Sequence, residues 1–197
     1  MLKNFARSGF TLIELIITVA IFGILLSVGI PSFVTWTQNA QIRTAAHAIQ
    51  NGLQLARGEA VRRNALIRFQ LTSSIDNNCN LSTTDTNWVI SFDNPSSACG
   101  GALLNENFPV TDATNNPAPR MIQLRPSGEG SARVVATATQ STVVFSGLGR
   151  ADQALTIDLS PSSGGCTNFR CLRVTVTTGG QIRMCDPTLS AGDPQAC

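Results

Sequence analysis

The chain has 197 residues, a net charge of +2 and a charged fraction of 13%, about half that of an ordinary soluble domain. Its length fits one domain, or one domain with an anchor, and the small charge argues against a strongly basic nucleic-acid binder or an acidic tail. Lys3 is the only lysine, so any cationic surface is an arginine surface, suited to planar, bidentate contacts. The six cysteines (Cys79, Cys99, Cys166, Cys171, Cys185, Cys197) include no CxxC pair, and His47 is the only histidine. A zinc site needs such spacings, so no metal is expected, and the even count reads as disulfides formed in an oxidising compartment. One histidine and no tyrosine leave no convergent acid, base or nucleophile, so the chain does not read as an enzyme and no cofactor is expected.

Residues 15–42 carry no charged side chain, and 10–36 is almost wholly apolar. A helix rising about 1.5 Å per residue spans the roughly 30 Å hydrocarbon core over that length. Lys3 and Arg7 precede the run and the next basic residue is Arg43. The N-terminus is therefore expected in the cytoplasm and the remainder outside it, with Trp36 at the interface. The run ends SVGIPSFVTW, without the small-residue site of a conventional secretory signal. Glu14 lies inside the apolar segment, where a carboxylate costs about 2.5–3.5 kcal/mol on insertion scales and reads as functional.

Lys3, followed by Arg7-Ser8-Gly9-Phe10-Thr11-Leu12-Ile13-Glu14-Leu15, resembles the class III signal of type IV pilins and type II pseudopilins. The resemblance implies cleavage between Gly9 and Phe10 by a prepilin peptidase and N-methylation of Phe10. It also implies an assembly role for Glu14, whose carboxylate would meet the N-terminal amine of a neighbouring subunit. Such a pair neutralises two charges that lipid leaves unsolvated. Pro31 falls where that family tolerates a helix kink.

From Gln38 the sequence turns polar but keeps helical spacing. Ile42, Ala45, Ala46, Ile49, Leu53, Ala56 and Ala60 recur in steps of three and four, a stripe expected to face a sheet. Arg43, Gln50, Arg57, Arg62 and Arg63 occupy the polar face, and His47 beside the stripe reads as solvated. Gly52 and Gly58 each weaken the helix by about 1 kcal/mol relative to Ala. Beyond Asn64, short β-type runs fall at 65–72, 87–93, 121–124, 134–137, 142–146, 155–159 and 172–177, separated by clusters of Asn, Asp, Gly, Pro and Ser. Residues 109–119 read as a loop.

Cys79 and Cys99 bracket the run around 88–92, and a bridge closing about twenty residues stabilises by roughly 3 kcal/mol in the chain-entropy model. CLRVTV, TTGG and QIRMC form a hairpin pattern. A register placing Leu172 opposite Met184 and Val174 opposite Ile182 gathers the apolar residues on one face. It sets Cys171 against Cys185 and Arg173 against Arg183 on the other, which would leave Cys166 for Cys197.

The segment Leu53-Gln-Leu-Ala-Arg57-Gly-Glu59-Ala-Val-Arg62-Arg63-Asn64 resembles the L-x-x-A-R-x-E-A-x-R-R-N helix end of the GspH/FimT family. Thr142 to Arg150 looks like its F-x-x-x-G-R strand and turn, and Val174 to Cys185 like its C-terminal hairpin. The resemblance implies an α+β, pilin-like fold: one long N-terminal helix, transmembrane in its first half, packed on antiparallel β-sheet. Four segments follow: a leader peptide at 1–9, the transmembrane half-helix at 10–36, its amphipathic half at 37–63, and a β-rich head at 64–197. A single-pass inner-membrane location with a periplasmic head, then a low-abundance or tip position in a pilus, is the implied itinerary. The implied partners are other major and minor pilins, the prepilin peptidase and the inner-membrane assembly platform.

Three roles divide the family: minor pilins of the FimU type that prime assembly, FimT-type pilins that bind double-stranded DNA during transformation, and the type II secretion pseudopilin H. The first is the reading adopted. The DNA-binding type carries G-R-x-R near its C-terminus, where this chain has Gly180-Gln181-Ile182-Arg183 and lacks the first arginine. Arg183, Arg173, Arg170 and Arg150 are the candidate DNA contacts, arginine clusters being good phosphate holders. Asp152, Asp158 and Asp186 are the alternative partners for these cations.

Overall fold

A computed structural model describes residues 10–128, 132–163 and 165–197. The expected leader, with Gly9, lies outside the described residues. The chain divides into two units, Met1–Thr37 and Gln38–Cys197. One helix, α1 (Leu12–Arg63), contributes to both.

In the first unit α1 leaves large apolar side chains exposed, among them Leu12 at 76%, Phe22 at 67% and Trp36 at 67%. Thr18, Ser27 and Thr37 turn their hydroxyls back onto the carbonyls of Leu15, Ile24 and Phe33, at 2.8, 2.7 and 2.9 Å. The helix is long and apolar enough to cross a membrane, and this back-bonding satisfies the only polar side-chain groups that those positions would present to lipid.

In the second unit the same helix is a core element. Ile42, Ala45, Ala46, Ile49, Leu53, Ala56 and Ala60 are at most 1% exposed. Asn64, with φ of 46°, ends the helix in the left-handed region that Asn tolerates. There Ala65 N–H donates to the Ala60 carbonyl at 3.1 Å, the long bond of a Schellman cap.

Eight strands follow: β1 (Ile67–Thr72), β2 (Asn87–Ser91), β3 (Met121–Arg125), β4 (Val134–Ala138), β5 (Thr142–Phe145), β6 (Leu155–Pro161), β7 (Leu172–Val176) and β8 (Ile182–Cys185). They form two four-stranded antiparallel sheets, ordered β3-β2-β1-β5 and β4-β6-β7-β8. The stripe of α1 shares one core with both, including Phe69, Trp88 and Ile90 from the first and Leu155, Ile157 and Val174 from the second.

The two sheets bury differently. Along β6 buried and half-buried residues alternate, the pattern of a sheet with one wet face. Strand β2 is buried throughout, because a long loop covers the outer face of its sheet. There Val89 and Met121 pack with Cys79 and Cys99 in a small second core, and those two cysteines are bonded to each other.

The hairpin and the remaining disulfides correct the sequence reading. Arg173 lies opposite Cys185, Val174 opposite Met184, Thr175 opposite Arg183 and Val176 opposite Ile182. This is a shift of two residues, which preserves the buried face while changing every partner. The turn sits one residue further along: Thr177 N–H donates to the Gln181 carbonyl at 3.0 Å, leaving 178–180 in the loop. Cys171 therefore does not face Cys185. It bonds Cys166, five residues back across the short helix α2 (Gly165–Asn168), and Cys185 bonds Cys197, twelve residues on. Each closes a local loop.

Gly52 packs where a Cβ would lie 2.9 Å from the Phe69 ring and 3.0 Å from that of Trp88, whereas Gly58 has open space around it. Gly58→Ala should therefore raise the unfolding free energy measured in urea through helix propensity alone, by about 0.5–1 kcal/mol. Gly52→Ala should lower it by about 1–3 kcal/mol, because overpacking outweighs the same propensity gain.

Asp93 accepts from Arg120 Nε at 2.8 Å, Nη2 at 2.7 Å and the backbone N–H at 2.9 Å. The guanidiniums of Arg63 and Arg120 also lie 5.6 and 5.3 Å from the Phe92 ring centroid. Hydrogen bonding from the Arg120 side chain holds the Asp93 carboxyl below its ordinary pKa, against the opposing effect of burial. Its stabilisation is therefore present at neutral pH and lost as pH falls through the folded-state value. In urea titrations from neutral to acid pH, Asp93→Asn should cost about 1 kcal/mol at pH 7 and flatten the acid decline.

Candidate functional site

Glu14 sits in the first turn of α1, immediately behind Phe10, which is 79% exposed. Thr11 precedes the helix, and its hydroxyl accepts from the Glu14 N–H at 3.4 Å. In return the Glu14 carboxylate accepts from the Thr11 N–H and Oγ1–H, both at 3.5 Å. This reciprocal pair is a capping box, and the negative charge favours the helix N-terminus. Sequence reading missed Thr11 as the partner, although Thr-x-x-Glu before an apolar run is the signal for it. The site therefore holds a carboxylate oriented by its own helix, beside the residue at which the mature chain is expected to begin.

The four candidate arginines do not form one free cationic patch. Arg173 Nε and Nη2 donate to the two carboxylate oxygens of Asp158, at 2.6 and 3.0 Å across the β6–β7 pair. These bonds to Asp158 raise the Arg173 pKa further. Arg170 Nε donates to buried Asp186 at 2.9 Å, and its Nη2 meets the Gln195 side chain. Burial alone would raise the Asp186 pKa. Bonds from Thr188 and Arg170 outweigh it, and the carboxyl sits below its usual value.

Arg183 lies opposite Thr175 and not Arg173, and its Nη2 donates to the Ala196 carbonyl at 2.7 Å. Arg150 is exposed, at the foot of the turn after β5, and its side chain has no partner among the described residues. Asp152 accepts the Val144 N–H at 2.9 Å instead of taking an arginine. Two of the four cations are thus neutralised within the fold.

The three motif segments at the helix end, the β5 turn and the β7–β8 turn meet at one corner. Arg57 Nε donates to the Gly149 carbonyl at 3.0 Å. A Cβ on Gly147 would lie 2.3 Å from Asn64 Oδ1, and one on Gly180 would lie 1.9 Å from the Gly149 oxygen. Gly149 and Gly180 also have φ of 73° and 80°, which side chains disfavour. These residue types are required by packing, and the corner is structural.

The model of the prokaryotic N-terminal methylation motif matches residues 4–30, and that of the type II transport protein GspH matches residues 45–180. A crystal structure of the Pseudomonas aeruginosa type IV minor pilin FimU, in space group P21, is similar in fold, with a TM-score of 0.51 at 16% identity. The similarity covers 80% of this chain and 97% of that one. A second FimU crystal form, in space group P65, gives a TM-score of 0.49 at 15% identity over 76% and 97% of the two chains. No curated protein sequence matches the chain. With an α+β, pilin-like fold and a family match over most of its length, the chain belongs to the GspH family of type II transport proteins and carries an N-terminal methylation motif.

Proposed function

We propose that the chain is a minor type IV pilin, a low-copy structural subunit that primes pilus assembly or forms part of the tip complex. The family is one of pilin-like subunits, not enzymes. The observation that carries the pilin reading is Glu14: a carboxylate at the head of an otherwise uncharged helical segment, inside the matched methylation motif. After cleavage between Gly9 and Phe10 by a prepilin peptidase, Glu14 pairs with the new N-terminal amine of a neighbouring subunit in the membrane. Partners are then the other pilins and the assembly platform, and the head is periplasmic before it is exposed on the pilus. The fold is similar to that of the type IV minor pilin FimU, which is compatible with this reading.

The family description favours a second reading, a minor pseudopilin of type II secretion. Deleting the gene separates the two: loss of surface pili supports the first, and loss of secretion with pili intact supports the second. Arg173 and Arg170 in carboxylate pairs argue against a DNA-binding role.

Capping and pairing at Glu14 make different demands. Glutamine fills the capping-box position as glutamate does, but it carries no charge for an amine. Glu14→Gln and Glu14→Ala should both lower the amount of this subunit in sheared filaments by at least about tenfold, equivalent to about 1.4 kcal/mol. Immunoblots of sheared and membrane fractions check this, with the membrane pool retained. Normal incorporation of Glu14→Gln alone would leave Glu14 only its capping role. In nonionic detergent micelles, duplex DNA binding by the full chain should show no steep decline between about 50 and 200 mM salt, and Arg183→Gln should not change it.

A further inference from the structure

We propose that the cleft between the polar side of α1 and the C-terminal loop binds a carboxylate-bearing peptide segment of a partner protein. The cleft has a volume of about 430 Å³ and is lined by Arg43 and His47 of α1, with Arg170, Leu172, Met184 and Asp186 among the facing residues. Arg43 and His47 are exposed and one helical turn apart, so their side chains reach the same space. Neither has a hydrogen-bond or ion-pair partner among the described residues.

The only lining carboxylate, Asp186, is already satisfied. It accepts from the Thr188 N–H at 3.0 Å and hydroxyl at 2.6 Å, and from Arg170 Nε at 2.9 Å. The Asp186 charge is cancelled by Arg170, leaving Arg43 as the uncompensated cation, with His47 able to donate. That modest positive balance suits a singly charged carboxylate better than a doubly charged phosphate. The planar fork of Arg43 matches a carboxylate in two parallel bonds. Leu172 and Met184 supply an apolar wall for the stem that bears it. The volume fits a few side chains of a peptide, whereas a DNA duplex would touch such a concavity only at its rim.

The test uses the full chain in nonionic detergent micelles. A dye-labelled, end-capped peptide of alternating glutamate and leucine is titrated by anisotropy, beside the matching glutamine–leucine peptide. The glutamate peptide should saturate and the glutamine peptide should not. Inorganic phosphate at matched ionic strength should fail to displace it. The double variant Arg43→Glu/His47→Ala should weaken binding by at least about tenfold. Both positions are exposed, and an unchanged urea midpoint verifies that the variant is folded. Absence of saturable binding, equal affinity in the folded double variant, or displacement by phosphate would each overturn the proposal. Pilus incorporation through Glu14 is read separately, so either result can fail without the other.

Discussion

The structure depends on how closely two sheets can approach one helix. The inner face of α1 within the second unit presents mainly small side chains, Ala45, Ala46, Ala56 and Ala60, interrupted by Ile42, Ile49 and Leu53. At Gly52 even a methyl group is absent, and the rings of Phe69 and Trp88 occupy that space. Those rings, 5.6 Å apart between centroids, are, with Phe145, the aromatic surfaces that the first sheet gives to this core. Their contact with bare helix backbone explains why a residue that weakens an isolated helix belongs here. The same economy of side-chain volume recurs at the far end of α1, where Gly147, Gly149 and Gly180 close around Asn64 and Arg57.

Electrostatics follow from a chain with few charges. Carboxylates in the second unit are largely committed to local partners: Glu59 to Arg62 and Arg63, Asp93 to Arg120, Asp158 to Arg173, Asp186 to Arg170. Exposed pairs of this kind add little stability. Partly buried ones, such as Asp186 with its three donors, fix loop positions instead. Glu14 differs, because its nearest donors are the groups of its own helix start. A capping box orients the carboxylate without supplying a counter-charge, which leaves it available to an amine from outside the chain.

The disulfides divide by what they close. Cys79–Cys99 holds a long loop over β2, so that Val89 on the outer face is as buried as Trp88 on the inner one. A chain-entropy argument assigns such a closure roughly 3 kcal/mol. The two C-terminal bridges tie short neighbouring segments, α2 to the start of β7 and the end of β8 to the terminal loop. The second of these carries Gln195 and Ala196, which meet Arg170 and Arg183. The C-terminal loop is thereby part of the arginine environment.

Local patterns were legible in the sequence because their physics is local. The uncharged run, the three-and-four stripe from Ile42 to Ala60, the period-two alternation of β6 and β7, and Asn64 as a helix stop are readable from side-chain chemistry and spacing alone. So was the chemical oddity of Glu14. Tertiary structure decided whatever depends on which segments are neighbours. The arrangement of strands into two sheets, the two-residue shift in the last hairpin and the pairing of four cysteines belong here. So do the carboxylates that take up Arg170 and Arg173. A shift of two residues keeps the same side chains buried, so the hydrophobic pattern is blind to it. The Thr177–Gln181 turn fixes the register instead, and Cys171 is taken by its near neighbour Cys166.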